Sequence, residues 1–281
     1  MDPTHWHRPI ALPTLHGKHA LIAPVLEAAT GCTVRHVADV DTDRLGSFSR
    51  LVPRAGSQLQ AARAKARAGL THTGLQLALA SEGAFVPDPF AGVVLWNIEI
   101  VLLLDEERQQ EIVGMAQGPA RAGQATVRDA EQLLQRATEW GFPEHQLCVR
   151  PDHSEEPRVQ QGLASTSALL QAFALAQAQS KWGLVFVESD LRAHCNPTRQ
   201  AMIRRAAEDL GQKMLSACPG CGSPGFWMTG HRAGRPCRAC GAPTREPLAS
   251  RWSCGVCPHT QERAEGFARW ADPGRCDHCN P

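Results

Sequence analysis

The sequence predicts an α/β fold, a Rossmann-like or related layered sheet with flanking helices, followed by a small cysteine-rich module. Three observations support this prediction. The 281 residues are enough for about two domains. Short apolar runs alternate with helical patterns through residues 1–212. Eight of the eleven cysteines lie in residues 213–281. We therefore expect an α/β domain over 1–212 and a separate module over 213–281.

Each element of the first domain has a local signal. Short apolar runs predict strands at 20–23, 33–38, 75–80, 93–104, 146–149 and 184–188. Residues that favour helices predict them at 25–30, 56–70, 125–140, 163–179 and from 197 to 210. Gly31 ends the first helix. Asn196 is the expected N-cap of the last helix, with Pro197 at its first position.

Composition argues against several classes of protein. Lys and Arg number 29 against 28 Asp and Glu, and this near balance does not favour a polybasic nucleic-acid or membrane-surface binder. The most apolar run, 93–104, is shorter than a membrane span and is interrupted by Asn97 and Glu99. The first residues lack the apolar core of a signal peptide. We therefore expect a cytoplasmic protein without a membrane partner, and no pattern indicates its oligomeric state.

The cysteines of 213–281 form four C-x-x-C pairs with the spacing of zinc knuckles. One knuckle brings two thiolates to a tetrahedral ion at about 2.3 Å, and two knuckles complete a four-cysteine site. The sequence therefore predicts two structural zinc sites in a module similar to two zinc ribbons. The predicted ligands are Cys218, Cys221, Cys237, Cys240, Cys254, Cys257, Cys276 and Cys279. Gly222 and Gly241 follow two of the pairs, where the chain must reverse.

Other interpretations of these cysteines stay open. A disulfide framework needs an oxidising compartment, which the lack of a secretion signal does not favour. An iron–sulfur cluster uses the same ligands, although regular knuckles favour closed zinc sites. The pairing is either sequential, with the first two knuckles in one site, or interleaved, first with third and second with fourth. The single cysteines Cys32, Cys148 and Cys195 are expected to be small buried apolar residues.

The charge of 213–281 bears on whether this module binds nucleic acid. It carries nine basic and five acidic residues. Two zinc tetrathiolate centres bring about two negative charges each, which cancels the positive surplus. We therefore expect the arginines mainly to neutralise thiolates, with nucleic-acid binding as the less favoured alternative. The aromatic residues of so small a module are expected to form its core, the alternative being stacking on bases. These residues are Phe226, Trp227, Trp252 and Trp270.

Polar clusters of the first domain are candidate active-site residues, because ligands of such folds bind at the carboxyl ends of strands. In the loop 14–18, Gly17 permits close backbone approach, Lys18 supplies a charge for phosphate and His16 lies beside them. The alternative for Lys18 is a solvated lysine. Asp41 and Asp43 follow the strand at 33–38 and suit Mg²⁺ or a bound water, or else a helix N-cap.

Two further clusters extend this set. Glu82 is predicted at the tip of the strand 75–80 as a functional carboxylate. Glu99 interrupts an apolar run, so it must be paired, bind metal or face solvent. Residues 188–199 bring basic side chains to a helix N-terminus, where an anion is stabilised, whereas the alternative for Asp190 and Arg192 is an internal ion pair. The candidates of this last cluster are Asp190, Arg192, His194, Asn196 and Arg199.

Several motifs together resemble a bacterial family of unknown function that pairs an α/β region with a cysteine-rich tail. They are H-G-K at 16–18, D-T-D-x-x-G-x-F at 41–48, S-E-G-x-F at 81–85, D-x-R-A-x-x-N-P-T-R at 190–199 and the C-terminal knuckles. This resemblance implies the architecture and no activity.

A second resemblance, within residues 1–100, is to the inosine/xanthosine triphosphatases. Their T-N-P-x-K loop is similar to 14–18, their A-x-x-[KR]-A helix to 62–66 with Lys65, and their G-x-E-x-G strand end to 81–83. Leu15 and His16 replace the Asn-Pro of that family. The resemblance implies that Lys18 contacts phosphate and that Glu82 holds Mg²⁺.

The leading hypothesis is therefore a zinc-binding, Mg²⁺-dependent phosphohydrolase acting on a nucleotide or another phosphorylated small molecule. Its candidate catalytic residues are Lys18, Asp41, Asp43, Glu82 and Arg192. Its candidate ligand contacts are His16, Gly17, Asp190, His194, Asn196 and Arg199. The alternative hypothesis is a non-catalytic binding or regulatory protein whose zinc module engages nucleic acid or a protein partner.

Overall fold

The computed structural model describes residues 3–40 and 56–281. The chain divides into two compact units. The first, Thr4–Gly211, is here called the α/β unit, and the second, which includes Gln212–Pro281, the cysteine-rich unit. Mixed α/β architecture with a helix-flanked sheet is confirmed for the first unit.

The described part of the α/β unit contains nine strands and the helices that flank them. The strands are Pro9–Pro13 (β1), Thr33–Val37 (β2), Leu77–Pro87 (β3), Leu95–Asp105 (β4), Gln110–Pro119 (β5), Gln124–Val127 (β6), Leu147–Pro151 (β7), Gln160–Leu163 (β8) and Val185–Ser189 (β9). The helices are His19–Thr30 (α1), Gln58–Thr73 (α2), Ala130–Trp140 (α3), Thr166–Gln179 (α4) and Pro197–Leu215 (α5).

A five-stranded mixed sheet has the order β2-β1-β3-β4-β5. Strands β2, β1 and β3 are parallel, while β4 and β5 follow as antiparallel hairpins. The chain leaves β1 toward β2 on one side and returns to β3 on the other side. The carboxyl end of β1 is therefore a topological switch point, the position where open α/β sheets bind ligands.

At this end of the sheet, β1 stops earlier than its neighbour β3. Ala11 pairs with Ala78, so β1 ends at Pro13 while β3 continues to Pro87. The outer half of β3 therefore extends beyond the end of β1. The loop 14–18 follows β1 directly and leads into α1.

Helices cover both faces of this sheet. On one face, the alanines of α2 pack in a common core with β3 and β4. On the other face, α5 lies directly against β5, because a Cβ at Gly114 would meet the backbone of Ala206 and Leu210. Helix α1 shares that face, since a Cβ at Gly211 of α5 would lie 3.3 Å from Ala29 Cβ. The result is a layered helix–sheet–helix arrangement.

A second sheet of the α/β unit has the order β6-β9-β7-β8, with antiparallel pairing throughout. Helices α3 and α4 supply apolar residues to its core. Both helices begin at a side-chain cap, Asp129 accepting from Gln132 N and Ser165 from Ala168 N. The segment after β9 leads from this sheet into α5.

The cysteine-rich unit contains one three-stranded antiparallel sheet among the described residues, in the order β10-β11-β12. Its strands are Trp227–Ala233 (β10), Pro247–Ser253 (β11) and Thr260–Arg263 (β12). Phe226 is 1 % exposed and is the largest apolar side chain buried there. The unit buries few apolar residues, and these give little hydrophobic stabilisation. It therefore needs another source of stability. In the described part of the whole chain, every helix is too short or too polar to cross a bilayer.

Several predicted elements are confirmed and others are wrong. The last helix begins as expected, with Asn196 Oδ1 accepting from Arg199 N at 2.9 Å. The predicted strand 20–23 is wrong, because these residues form the start of α1, which continues through Pro24. The predicted helix 125–140 is split into β6 and α3 by the turn at Asp129. Strands β1, β5 and β8 were not predicted, since each is short or carries many polar residues.

Substitution of Gly114 tests how closely α5 lies on the sheet. We expect Gly114→Ala to destabilise the α/β unit by about 1–3 kcal/mol, because the new methyl group meets helix backbone that cannot move aside. Gly118→Ala in the same strand is the matched control. Its methyl group would lie 2.5 Å from Met202 Cε, the end of a flexible side chain, so a smaller loss is expected. Urea unfolding checks both, and equal losses would contradict the packing.

Candidate functional site

The eight paired cysteines form two groups whose sulfur atoms can each hold one metal ion. The first group, the first metal cluster, is Cys218, Cys221, Cys254 and Cys257. The second group, the second metal cluster, is Cys237, Cys240, Cys276 and Cys279. The pairing is therefore interleaved, and the sequential alternative is wrong.

The distances within each cluster fit a tetrahedral zinc ion. Zn–S bonds of about 2.3 Å place the four sulfurs of a tetrahedron about 3.8 Å apart. In the first cluster Cys221 Sγ lies 3.7 Å from Cys254 Sγ. In the second, Cys237 Sγ lies 3.8 Å from Cys279 Sγ. All four ligand atoms of a cluster lie within 4.8 Å of one another, which leaves space for one ion and not for a cluster of several irons.

The disulfide interpretation does not fit these cysteines. All of them are free thiols, and a disulfide would need sulfurs about 2.05 Å apart. The donor set of four thiolates is instead that of closed, structural zinc sites. The protein is accordingly a metal-binding protein with two four-cysteine centres suited to zinc.

Backbone hydrogen bonds hold the knuckle turns and orient their sulfur atoms. Gly222 and Gly241 have φ of +74° and +76°, as glycine allows, and their N–H groups donate to the carbonyls of Cys218 and Cys237. Gly220 N donates to Cys218 Sγ at 3.3 Å. Such N–H donors stabilise thiolate charge before any ion binds, so these turns are prepared for a cation.

The interleaved pairing links the two clusters. An ion in the first cluster closes the segment between Cys221 and Cys254, which contains the knuckle Cys237/Cys240 of the second. An ion in the second cluster closes a segment that contains the knuckle Cys254/Cys257 of the first. Each ion therefore constrains ligands of the other, which supplies the stability that the small apolar core lacks.

Arginines of the cysteine-rich unit are engaged within the unit. Arg232 pairs with Glu262 at 2.7 Å and Arg245 with Asp277 at 3.0 Å. The Arg263 guanidinium lies 3.9 Å from the centre of the Trp252 ring. Trp252 in turn lies 6.0 Å from the buried Phe226. These aromatic residues therefore contribute to the core of the unit, while Trp270 is 44 % exposed.

A second candidate site lies in the α/β unit, where five ionisable side chains are buried together. This charge cluster consists of Lys18, Lys65, Glu82, Glu99 and Arg199, of which none is more than 8 % exposed. Lys18 Nζ donates to the carbonyl of Ser81 at 2.8 Å and lies 3.4 Å from its hydroxyl. Lys18 thus binds the outer half of β3, beyond the end of β1.

Two buried ion pairs lie on opposite faces of the sheet around Lys18. Glu82 points toward α2 and pairs with Lys65. Glu99 points to the α5 face and accepts from Arg199 Nε at 2.7 Å. A Cβ at Gly83 would clash with Glu99 and lie 2.7 Å from Arg199 Nη2, so glycine at position 83 leaves room for the ion pair in its present geometry.

The charge cluster holds three cations against two carboxylates among the described residues. Burial, followed by the neighbouring charges of Arg199 and Lys65, lowers the pKa of Lys18 to about 8, although Glu82 and Glu99 act in the opposite direction. Lys18 therefore remains mostly protonated at pH 7. A bound anion would compensate this surplus of one positive charge.

The predicted site residues are only partly brought together. Lys18, Glu82 and Arg199 share the charge cluster, while Arg192 is bound by Asp190, with Nε at 2.9 Å from Oδ1. Arg192 thus forms the ion pair with Asp190 that was its alternative, and its contact with a phosphate stays a prediction. Asp41 and Asp43 lie outside the described residues.

The remaining predicted contacts lie in the two loops near Lys18. The His16 and His194 rings are stacked with centroids 5.4 Å apart, and Gly17, next to His16 in sequence, adopts φ +70°. Asn196 caps α5. Glu82 does not end a strand as predicted but lies in the middle of β3.

Lys65 was suggested only by a resemblance, and no local pattern marks it as the partner of Glu82. Glu99 carried a clearer signal, since a carboxylate within an apolar run must find a cation. The structure selects the first of the three possibilities for Glu99, an ion pair. Nearby Asp88 accepts from four backbone N–H groups of its own hairpin, including Ala91 at 2.8 Å, which is a structural role.

Metal loading tests the pairing directly. We expect two zinc ions per chain by elemental analysis; iron, or no metal, would contradict the assignment. In ¹¹³Cd-substituted protein, one cadmium signal should couple to the Hβ protons of the first metal cluster and another to those of the second. A signal that couples to both Cys218 and Cys237 would contradict the interleaved pairing. Cys148, which belongs to neither cluster, should show no coupling.

The buried pair on the α5 face gives a second test. We expect Arg199→Met to destabilise the α/β unit by about 3–5 kcal/mol, because Glu99 then remains charged and buried without its cation. Adding Glu99→Gln should restore a large part of this loss. Urea unfolding of the two single variants and the double variant measures the coupling. Additive losses would show that the pair is not coupled.

Comparison with known proteins places the chain in a family without an assigned activity. A family model described as a domain of unknown function, DUF6671, matches residues 65–281. This range contains Lys65, Glu82, Glu99, Arg199 and both metal clusters. No curated protein matches the chain. The similarity to inosine/xanthosine triphosphatases is not shown by these comparisons. The chain belongs to the DUF6671 family.

Proposed function

We propose that this zinc-binding protein binds a phosphorylated small molecule in its α/β unit, at the carboxyl end of β1. The observation that supports the proposal is the surplus of one buried cation in the charge cluster. A cation removed from water is costly unless an anion compensates it. A phosphate group supplies that anion.

The position of Lys18 adds to this argument. Its ammonium is buried at the switch point of the sheet and bonds to a carbonyl and a hydroxyl of Ser81, both uncharged. Glu82 and Glu99 are each engaged by another cation, Lys65 and Arg199. Within the described part of the chain, the charge of Lys18 is therefore the one best placed to interact with an incoming anion.

Hydrolysis of the bound ligand with Mg²⁺ is the finer form of the proposal. The described carboxylates do not fit Mg²⁺ ligands as they stand, because Glu82 and Glu99 already neutralise cations. The described residues support binding of the phosphate and assign no metal-dependent step. We therefore place phosphate binding first and test hydrolysis beside it.

The cysteine-rich unit has a structural role in this proposal. Six of its eight arginines pair with carboxylates or lie over aromatic rings, and the negative charge of two zinc tetrathiolate centres would cancel its positive surplus. Binding of nucleic acid through this unit is therefore less favoured. Since thiolate ligands stay reduced in the cytoplasm, we propose a cytoplasmic location.

A lysine substitution tests the site. At pH 7 and low salt we expect inorganic phosphate or a nucleotide to bind the wild-type protein, and Lys18→Met to weaken binding about tenfold or more. Lys181→Met, which removes an exposed lysine, is the matched control and should leave affinity unchanged. Calorimetry measures binding, and release of phosphate with and without Mg²⁺ measures hydrolysis. Equal affinities of wild type and Lys18→Met would contradict the proposed site.

A further inference from the structure

Two histidine rings from different loops meet beside Lys18. His16 lies in the β1–α1 loop and His194 in the segment between β9 and α5. Their ring centroids are 5.4 Å apart with an interplanar angle of 24°. A Cβ at Gly17 would lie 3.9 Å from His194 Cβ, so the two loops are in direct contact.

The two rings differ from the charge cluster in accessibility. His194 is exposed and His16 half-buried, whereas Lys18, two residues after His16, is buried. The rings are therefore open to a ligand arriving from solvent. Lys18, at the end of the same loop as His16, belongs to the buried charge cluster.

The groups around His194 keep it neutral in the absence of an anion. His194 is exposed but part of its surroundings excludes water, and this partial desolvation lowers its pKa. The charges of Arg192 and His16 lower it further, while Asp190 acts in the opposite direction. A neutral imidazole at pH 7 can gain a proton when a negative charge is placed beside it. A charge on His16 opposes a proton on the His194 ring, whose centroid lies 5.4 Å away, so we expect uptake of about one proton.

A second stacked pair shows that ring stacking alone does not create such a site. His19 and His36 have centroids 5.0 Å apart. Their Nε2 atoms lie 3.2 Å from the carbonyl of Val34 and 2.8 Å from that of Thr14. These rings are held by backbone acceptors within the fold. His19 of this second pair therefore serves as a control for His194.

We propose that His16 and His194 contact the phosphate group of the ligand and that its binding draws one proton from solvent onto this imidazole pair. The inference rests on the proposed function and adds the chemistry of the ligand, a terminal phosphate group that bears two negative charges. The protonated ring donates to a phosphate oxygen, while Lys18 and Arg199 supply the fixed charge. No covalent bond is made or broken in this step.

The sign of the pH dependence follows from linkage. An anion raises the pKa of His194 in the complex above its value in the free protein. Affinity therefore increases as the pH falls through the pKa of the complex and levels off below that of the free protein. With one proton taken up, the change is at most about tenfold per pH unit. Lys18 stays protonated over this range, since its pKa is about 8.

The experiment uses the full chain with sulfate and inorganic phosphate as probes. Sulfate keeps its double charge between about pH 5 and pH 7, so any change of its affinity comes from the protein. Calorimetry in buffers of different ionisation enthalpy counts the protons taken up. We expect sulfate affinity to rise as the pH falls, with uptake approaching one proton per anion.

Two variants show which histidine takes up the proton. His194→Asn should weaken anion binding and lose most of the pH dependence and the proton uptake, whereas His19→Asn, the control, should retain the affinity, its pH dependence and the uptake. Zinc content and thermal unfolding confirm that each variant is folded. Anion binding with the same affinity at every pH in the wild-type protein would overturn this inference and leave the proposed function standing. Failure of both anions to bind at any pH would overturn the proposed function itself.

Discussion

The buried ion pair between Glu99 and Arg199 is the contact on which the arrangement of the α/β unit depends. It joins an inner strand of the five-stranded sheet to the first turn of α5, and its side chains are at most 2 % exposed. Arg199 also donates to the carbonyl of Leu191, so the same guanidinium fixes the segment that carries His194. A pair so deeply buried is stable only when both charges are compensated, and this couples the sheet, the helix and the segment.

Local chemistry explains which parts of the structure could be predicted from the sequence. A C-x-x-C knuckle needs only four residues and one turn, so the eight ligands were identifiable without a fold. The N-cap at Asn196 is equally local. The pairing of the knuckles is different, because it depends on how the chain between Cys221 and Cys254 packs. Both pairings satisfy the same local rules.

The charge cluster shows the opposite case. Its members come from the β1–α1 loop, α2, two strands and α5, so no spacing in the sequence brings them together. Glu99 could be marked as needing a cation, yet nothing local identified Arg199 as that cation. The apolar run that predicts a strand end before Glu82 stops at Ala80, whereas hairpin pairing with β4 extends β3 to Pro87. In both cases the result depends on contacts between residues that are distant in the sequence.

The absent side chain at position 83 has a consequence for how the family can diverge. Gly83 lies opposite Glu99 in the sheet and against Arg199, and any larger residue would occupy the space of the ion pair. A side chain at this position would displace the carboxylate and the guanidinium from their present contact. We therefore expect positions 83, 99 and 199, which are distant in sequence, to change together, because a substitution at one alters the fit of the other two.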